Sequence, residues 1–156
     1  IALIRTSGTA STPGGTDTPG YTWQWIPWMG TKSVVGSWSG LNQFSTGLGG
    51  GTLISSSAVG NEIGADAWLD SGTFKYAQIY YKSAAFGIYS VRLGGSEKGT
   101  IDGYAAVDAA NVYSEVTGIS VAAAVATFTL NMATKNASSS NYAGHIHSAT
   151  WIRTGA

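Results

Sequence analysis

Two histidines are the only imidazoles in the chain, and they stand two residues apart, at His145 and His147. On a strand that spacing puts both on one face, where the pair could offer two ligands to zinc or nickel. A metal site needs further donors, and the sequence does not show which residues would supply them; no metal is expected. Followed with the same alternation, the face continues through Ala149, Trp151 and Arg153. A flat indole beside hydrogen-bonding side chains suits a sugar, which stacks its C–H face on the ring while its hydroxyls find donors and acceptors. The same stripe suits a subunit contact, where Trp and Arg are favoured anchors, or packing within the fold. Trp68 with Glu62, Asp66 and Asp70 makes a second face of this kind, whose acids could equally form a solvated rim.

Other chemistries lack their parts. Glycoside hydrolysis needs two carboxylates held opposite each other in a cleft, and none of the eight acids stands in a recognisable context. There is no Gly-x-Ser-x-Gly elbow, His-Glu-x-x-His or phosphate loop. Residues 47–51 are glycine-rich but read as a loop between strands, without the helix that a phosphate site requires. Cysteine is absent, which removes disulfides, thiolate chemistry and cysteine-based metal sites. No enzyme and no cofactor is expected. Asn136-Ala137-Ser138 fits the N-glycosylation acceptor rule, and its expected role is a polar turn before the last strand.

The 156 residues suffice for one domain, or one domain plus an arm. Charged residues are 10% of the chain, and eight basic residues balance eight acidic ones. A neutral, weakly charged surface gives no electrostatic footprint for nucleic acid or an anionic membrane, so neither partner is expected. It also gives little self-repulsion, which suits a protein in an assembly. No apolar run reaches transmembrane length. The sequence starts at Ile1 rather than Met, as in a processed chain or a fragment, and residues 1–4 are too short for a signal-peptide core.

The elements that must position these residues are strands. Short alternating runs separated by Gly, Ser, Asn and Asp predict strands at 34–39, 52–56, 61–69, 73–82, 86–93, 99–107, 111–121, 125–134 and 145–153. Nine short strands without a credible helix describe a sandwich. The alanine-rich stretch 119–126 is read as strand and turn because of Ile119, Val121 and Val125. Alternation points Ile63, Ala65, Ala67 and Leu69 inward, with Tyr89, Val91 and Leu93, and with Ala126, Phe128, Leu130 and Met132. The strand at 73–82 is apolar on both faces, with Phe74, Tyr76 and Tyr80 against Ala77, Ile79 and Tyr81, and calls for cover on both sides. Residues 1–33 differ: a turn-rich Gly/Thr/Ser stretch leads to Tyr21, Trp23, Trp25 and Trp28. They are expected to form an extended arm docking these aromatics on the sandwich of residues 34–156, on a neighbouring subunit or on a particle surface.

The order of Asp70-Ser71-Gly72-Thr73-Phe74-Lys75, Phe86-Gly87-Ile88-Tyr89-Ser90-Val91, Ile101-Asp102-Gly103-Tyr104, Phe128-Thr129-Leu130, Lys135-Asn136-Ala137-Ser138-Ser139-Ser140 and Ile152-Arg153-Thr154 resembles a jelly-roll module of bacteriophage tail fibres, spikes and decoration proteins. The resemblance implies an antiparallel jelly-roll β-sandwich assembled as a homotrimer on the virion surface. It implies contacts with other virion proteins and with host surface glycan, and it carries over no catalytic residue. It departs at Gly94-Gly95, where such modules often carry an acid. Two alternatives stand beside it: a decoration protein with purely structural contacts, and a carbohydrate-binding module of a secreted hydrolase.

Overall fold

The structure, a computed structural model, describes residues 22–25, 33–36, 38–39, 52–56, 59–69, 71–122 and 124–155. Their regular elements are all strands: β1 (Thr22–Trp25), β2 (Ser33–Val35), β3 (Trp38–Ser39), β4 (Thr52–Ser56), β5 (Glu62–Leu69), β6 (Gly72–Lys82), β7 (Ile88–Leu93), β8 (Ser96–Asp102), β9 (Ala109–Val121), β10 (Ala124–Thr134) and β11 (Gly144–Gly155). They make two antiparallel sheets. One runs β3-β4-β11-β6-β9, with β1 pairing along β11, and the other runs β2-β5-β10-β7-β8. This is the expected all-β jelly-roll sandwich.

Local chemistry explains the boundaries. The expected strand at 34–39 divides into β2 and β3 because Gly36 takes φ 83°, a left-handed turn that glycine adopts without strain. Strand β8 begins earlier than expected because Gly94 and Gly95, at φ 57° and 78°, close a two-residue hairpin in which Leu93 pairs with Ser96. Two consecutive positive φ values describe the turn whose twist matches the flanking strands. The strand stops at Asp102, whose Oδ1 accepts the Tyr104 N–H at 2.8 Å, a side-chain turn that competes with the ladder. Strands β9 and β10 are joined across the alanine-rich stretch without a helix.

The core lies between the sheets. Ile63, Ala65, Ala67 and Leu69 of β5 are at most 2% exposed, and Phe128, Leu130 and Met132 of β10 are fully buried. From the other sheet, Phe74, Tyr76 and Tyr80 of β6 meet them, as the alternation predicts. The outer face of β6 is only partly covered: Ala77 is buried and Tyr81 half-buried, but Ile79 is 40% exposed. Within the stretch expected to be an arm, β1 runs antiparallel to β11, with Trp23 at the register position of Trp151 and Trp25 at that of Ala149. Tyr21 and Trp28 lie outside the described residues, as do the side chains of Trp23 and Trp25.

Candidate functional site

The first candidate face, from His145 to Arg153, does not survive as one stripe. The β11–β6 ladder shifts register between Ile146 and Ser148, and a bulge of one residue sends every later side chain to the opposite face. Ile146 before the bulge and Ala149 and Trp151 after it therefore all enter the core. His145, fully buried, and His147, half-buried, have their rings 4.9 Å apart, with the His145 ring edge-on to Tyr81 at 5.9 Å. Trp151 is fully buried, its ring centroid 5.2 Å from Tyr76 and 5.8 Å from Phe128 of the other sheet. No sugar or subunit can stack on it; of the three roles open to this stripe, Trp151 takes intramolecular packing. Arg153 sits half-buried near the end of β11, its Nε donating to the Gly155 carbonyl at 3.2 Å. Among the described residues no three His, Asp or Glu side chains converge as a metal site.

The second candidate face is extended by its neighbours. Strand β10 lies between β5 and β7, and the register sets Glu62 opposite Asn131, Gly64 opposite Thr129 and Asp66 opposite Thr127. On the far side of β10, Asn131 faces Ser90 and Thr129 faces Arg92. All alternate with core residues, so they belong to the outer face of this sheet. Arg92 reaches across β10, its Nη1 donating to Glu62 Oε1 at 2.7 Å. Asn131 Nδ2 donates to the same oxygen at 2.9 Å and to the Gly60 carbonyl at 3.2 Å. Ser90 Oγ donates to Glu97 Oε2 at 2.5 Å. Gly64 lies between Glu62 and Asp66 on this face; a Cβ there would run into the Phe128 carbonyl, so the position stays bare.

The Arg92 and Glu62 side chains are 34% and 21% exposed, enough for solvent or a ligand to reach both. Arg92 Nε is shielded from water and meets no hydrogen-bond acceptor among the described residues. Asn131, Thr129 and Ser90 are themselves buried, at 9%, 6% and 1% exposed, so the groups within reach of a ligand here are the part-exposed Glu62 carboxylate and Arg92 guanidinium. A carboxylate and a guanidinium side by side can hydrogen-bond hydroxyl groups. Asp66 is half-buried further along β5. Trp68 continues in step with Glu62 and Asp66 at the register position of Val125, but its side chain and Asp70 lie outside the described residues. Sequence reasoning found Glu62, Asp66 and Trp68 and missed Arg92, Asn131, Ser90 and Glu97. The alternation already put Ser90 with Arg92 and Thr129 with Asn131; only the strand order was needed to join them.

No family model matches the sequence, and no curated protein does. Solved structures do share the fold. The CBM36-1 domain of a multidomain xylanase from the hindgut metagenome of Trinervitermes trinervoides aligns with a TM-score of 0.63 at 14% identity, over 86% of this chain and 99% of that one. The carbohydrate-binding module CBM6cm-2 of Cellvibrio mixtus lichenase 5A, in complex with cellotriose, aligns with a TM-score of 0.51 at 14% identity, over 88% of this chain and 99% of that one. Paenibacillus xanthan lyase aligns at 0.65 and 18% identity over 94% of this chain, which spans 14% of the lyase's length. At these identities the likeness is one of fold. It matches the jelly-roll part of the sequence resemblance, and none of these three is a virion protein.

Proposed function

We propose that the chain is a non-catalytic carbohydrate-binding module, and that a neutral polysaccharide lies on the outer face of β5, β10 and β7 across Glu62 and Arg92. The observation that carries this reading is the Arg92–Glu62–Asn131 clamp on a fold shared with carbohydrate-binding modules. Glu62 is held from two sides, so its remaining lone pairs have fixed directions before any ligand arrives, and little ordering cost remains to be met on binding. Arg92 supplies the donors, since both Asn131 Nδ2 hydrogens are spent on Glu62 and the Gly60 carbonyl, and the exposed Glu97 stands at the rim. Three carboxylates, on Glu62, Asp66 and Glu97, outnumber the single guanidinium of Arg92. That imbalance disfavours an anionic polysaccharide and selects an uncharged one.

The attachment reading and its homotrimer rest on jelly-roll architecture, which carbohydrate-binding modules also have, so no separate observation favours them. Affinity electrophoresis of the purified chain through native gels holding hydroxyethylcellulose, soluble xylan, galactomannan or laminarin tests the proposal. At least one gel should retard the wild type, and Arg92→Ala should weaken that retardation at least tenfold while its thermal transition remains cooperative. Equal mobility with and without every polysaccharide, or equal retardation of the variant and the wild type, would sink it.

A further inference from the structure

The opposite side of the sandwich carries an aromatic group that the fold does not use. Tyr113 of the edge strand β9 is 55% exposed, and its cross-strand partner Ile79 is 40% exposed. In the next row Ala77 faces Glu115, and across β11 Ser148 faces Ile79 while Thr150 faces Ala77. Tyr113 is held in place: its hydroxyl donates to Glu115 Oε2 at 2.5 Å, and Lys75 Nζ lies 3.2 Å from the same oxygen. Hydrogen bonds from Tyr113 and Lys75 hold the Glu115 carboxyl below its ordinary range, so it is ionised throughout the neutral region.

We infer that this patch is a second contact for a neutral polysaccharide, with a sugar ring stacked on Tyr113 and Ile79 and its hydroxyls on Glu115, Lys75 and Ser148. The inference rests on the glycan-binding reading above and adds a site on the other sheet. Stacking needs an exposed ring of fixed orientation, which the Glu115 bond supplies at no further entropic cost. The Lys75–Glu115 pair sums to zero charge, so the patch has no preference for an ionic ligand and matches an uncharged one. Stacked sheets lie about 10 Å apart with side chains projecting beyond each, so one short oligosaccharide cannot span both faces. A single module would then touch two glycan chains.

Affinity electrophoresis through the same four polysaccharides separates the two claims. With both contacts present, Arg92→Ala keeps a weak retardation that adding Tyr113→Ala abolishes. Tyr113→Ala alone weakens the wild-type retardation about three- to tenfold, the size of an aromatic contact, and Tyr113→Phe, which keeps the ring, loses less. Wild-type retardation in Tyr113→Ala, together with complete loss in Arg92→Ala, overturns the second contact and leaves the first intact. Absence of retardation for the wild type overturns the glycan reading itself, and this inference with it.

Discussion

Replacing Trp151 by alanine tests the bulge at His147 most sharply, because the regular alternation and the observed ladder place that side chain on opposite sides of the sheet. The indole is fully buried and bridges the two layers through Tyr76 and Phe128. Truncating a core Trp costs about 3–5 kcal/mol, the lost burial plus the cavity left behind. In a domain of this size each kcal/mol moves the midpoint by about 2–4 °C, so Trp151→Ala should melt roughly 6–20 °C below the wild type. Trp151 Nε1 has no hydrogen-bond partner among the described residues. Trp151→Phe therefore loses volume without breaking a bond and should cost less, about 1–2 kcal/mol. Circular dichroism melts and urea titrations of the two variants measure this. A Trp151→Ala protein that melts within 2 °C of the wild type but no longer binds polysaccharide would refute the reasoning, because it would put the indole on the surface.

Other perturbations follow from the same packing. A Cβ at Gly144 would run into the Tyr89 hydroxyl, so Gly144→Ala should lose about 2 kcal/mol or more, and adding Tyr89→Phe should recover part of that in a urea double-mutant cycle. At Gly94, where φ is 57°, asparagine tolerates the turn and should stay within about 0.5 kcal/mol, whereas valine should cost about 1–2 kcal/mol; thermal melts distinguish them. Burial pushes the Tyr76 and Tyr89 hydroxyls well above their ordinary value of 10. For these two groups the native state retains protons that the unfolded chain releases. Their contribution is fully present below pH 10 and falls as pH rises beyond it, by up to about 1.4 kcal/mol per pH unit for each tyrosine. Absorbance titration should show both ionising only with unfolding; smooth ionisation of all eight tyrosines in the folded protein would contradict their burial.

The fold was legible because strands half-buried on one face write their orientation into every second residue. Ile63, Ala65, Ala67 and Leu69 are inward in the sequence pattern and inward in the structure. Tyr89, Val91 and Leu93 behave the same way. The pattern fails where the backbone breaks its own period. Nothing in Gly144-His145-Ile146-His147-Ser148 marks a bulge, and the one-residue shift there turned a core tryptophan into an apparent surface platform. The clamp was half legible for a different reason: Glu62 and Arg92 are 30 residues apart and meet only because β10, the later strand, inserts between β5 and β7. Strand order depends on non-local pairing, which alternation within each strand does not encode. Tyr113 was passed over because it sits in an alternating edge strand with no other aromatic beside it in sequence.

The central claim is that the outer face of β5, β10 and β7 binds neutral glycan, and backbone amide chemical-shift mapping tests it most directly. The whole chain, labelled with nitrogen-15, would be titrated with cellohexaose, xylohexaose and mannohexaose. The account predicts shifts with at least one of them at Glu62–Asp66, Ser90–Arg92 and Thr129–Asn131. Shifts absent from all three segments with every hexasaccharide, or confined to the His145–His147 end of β11, would contradict it.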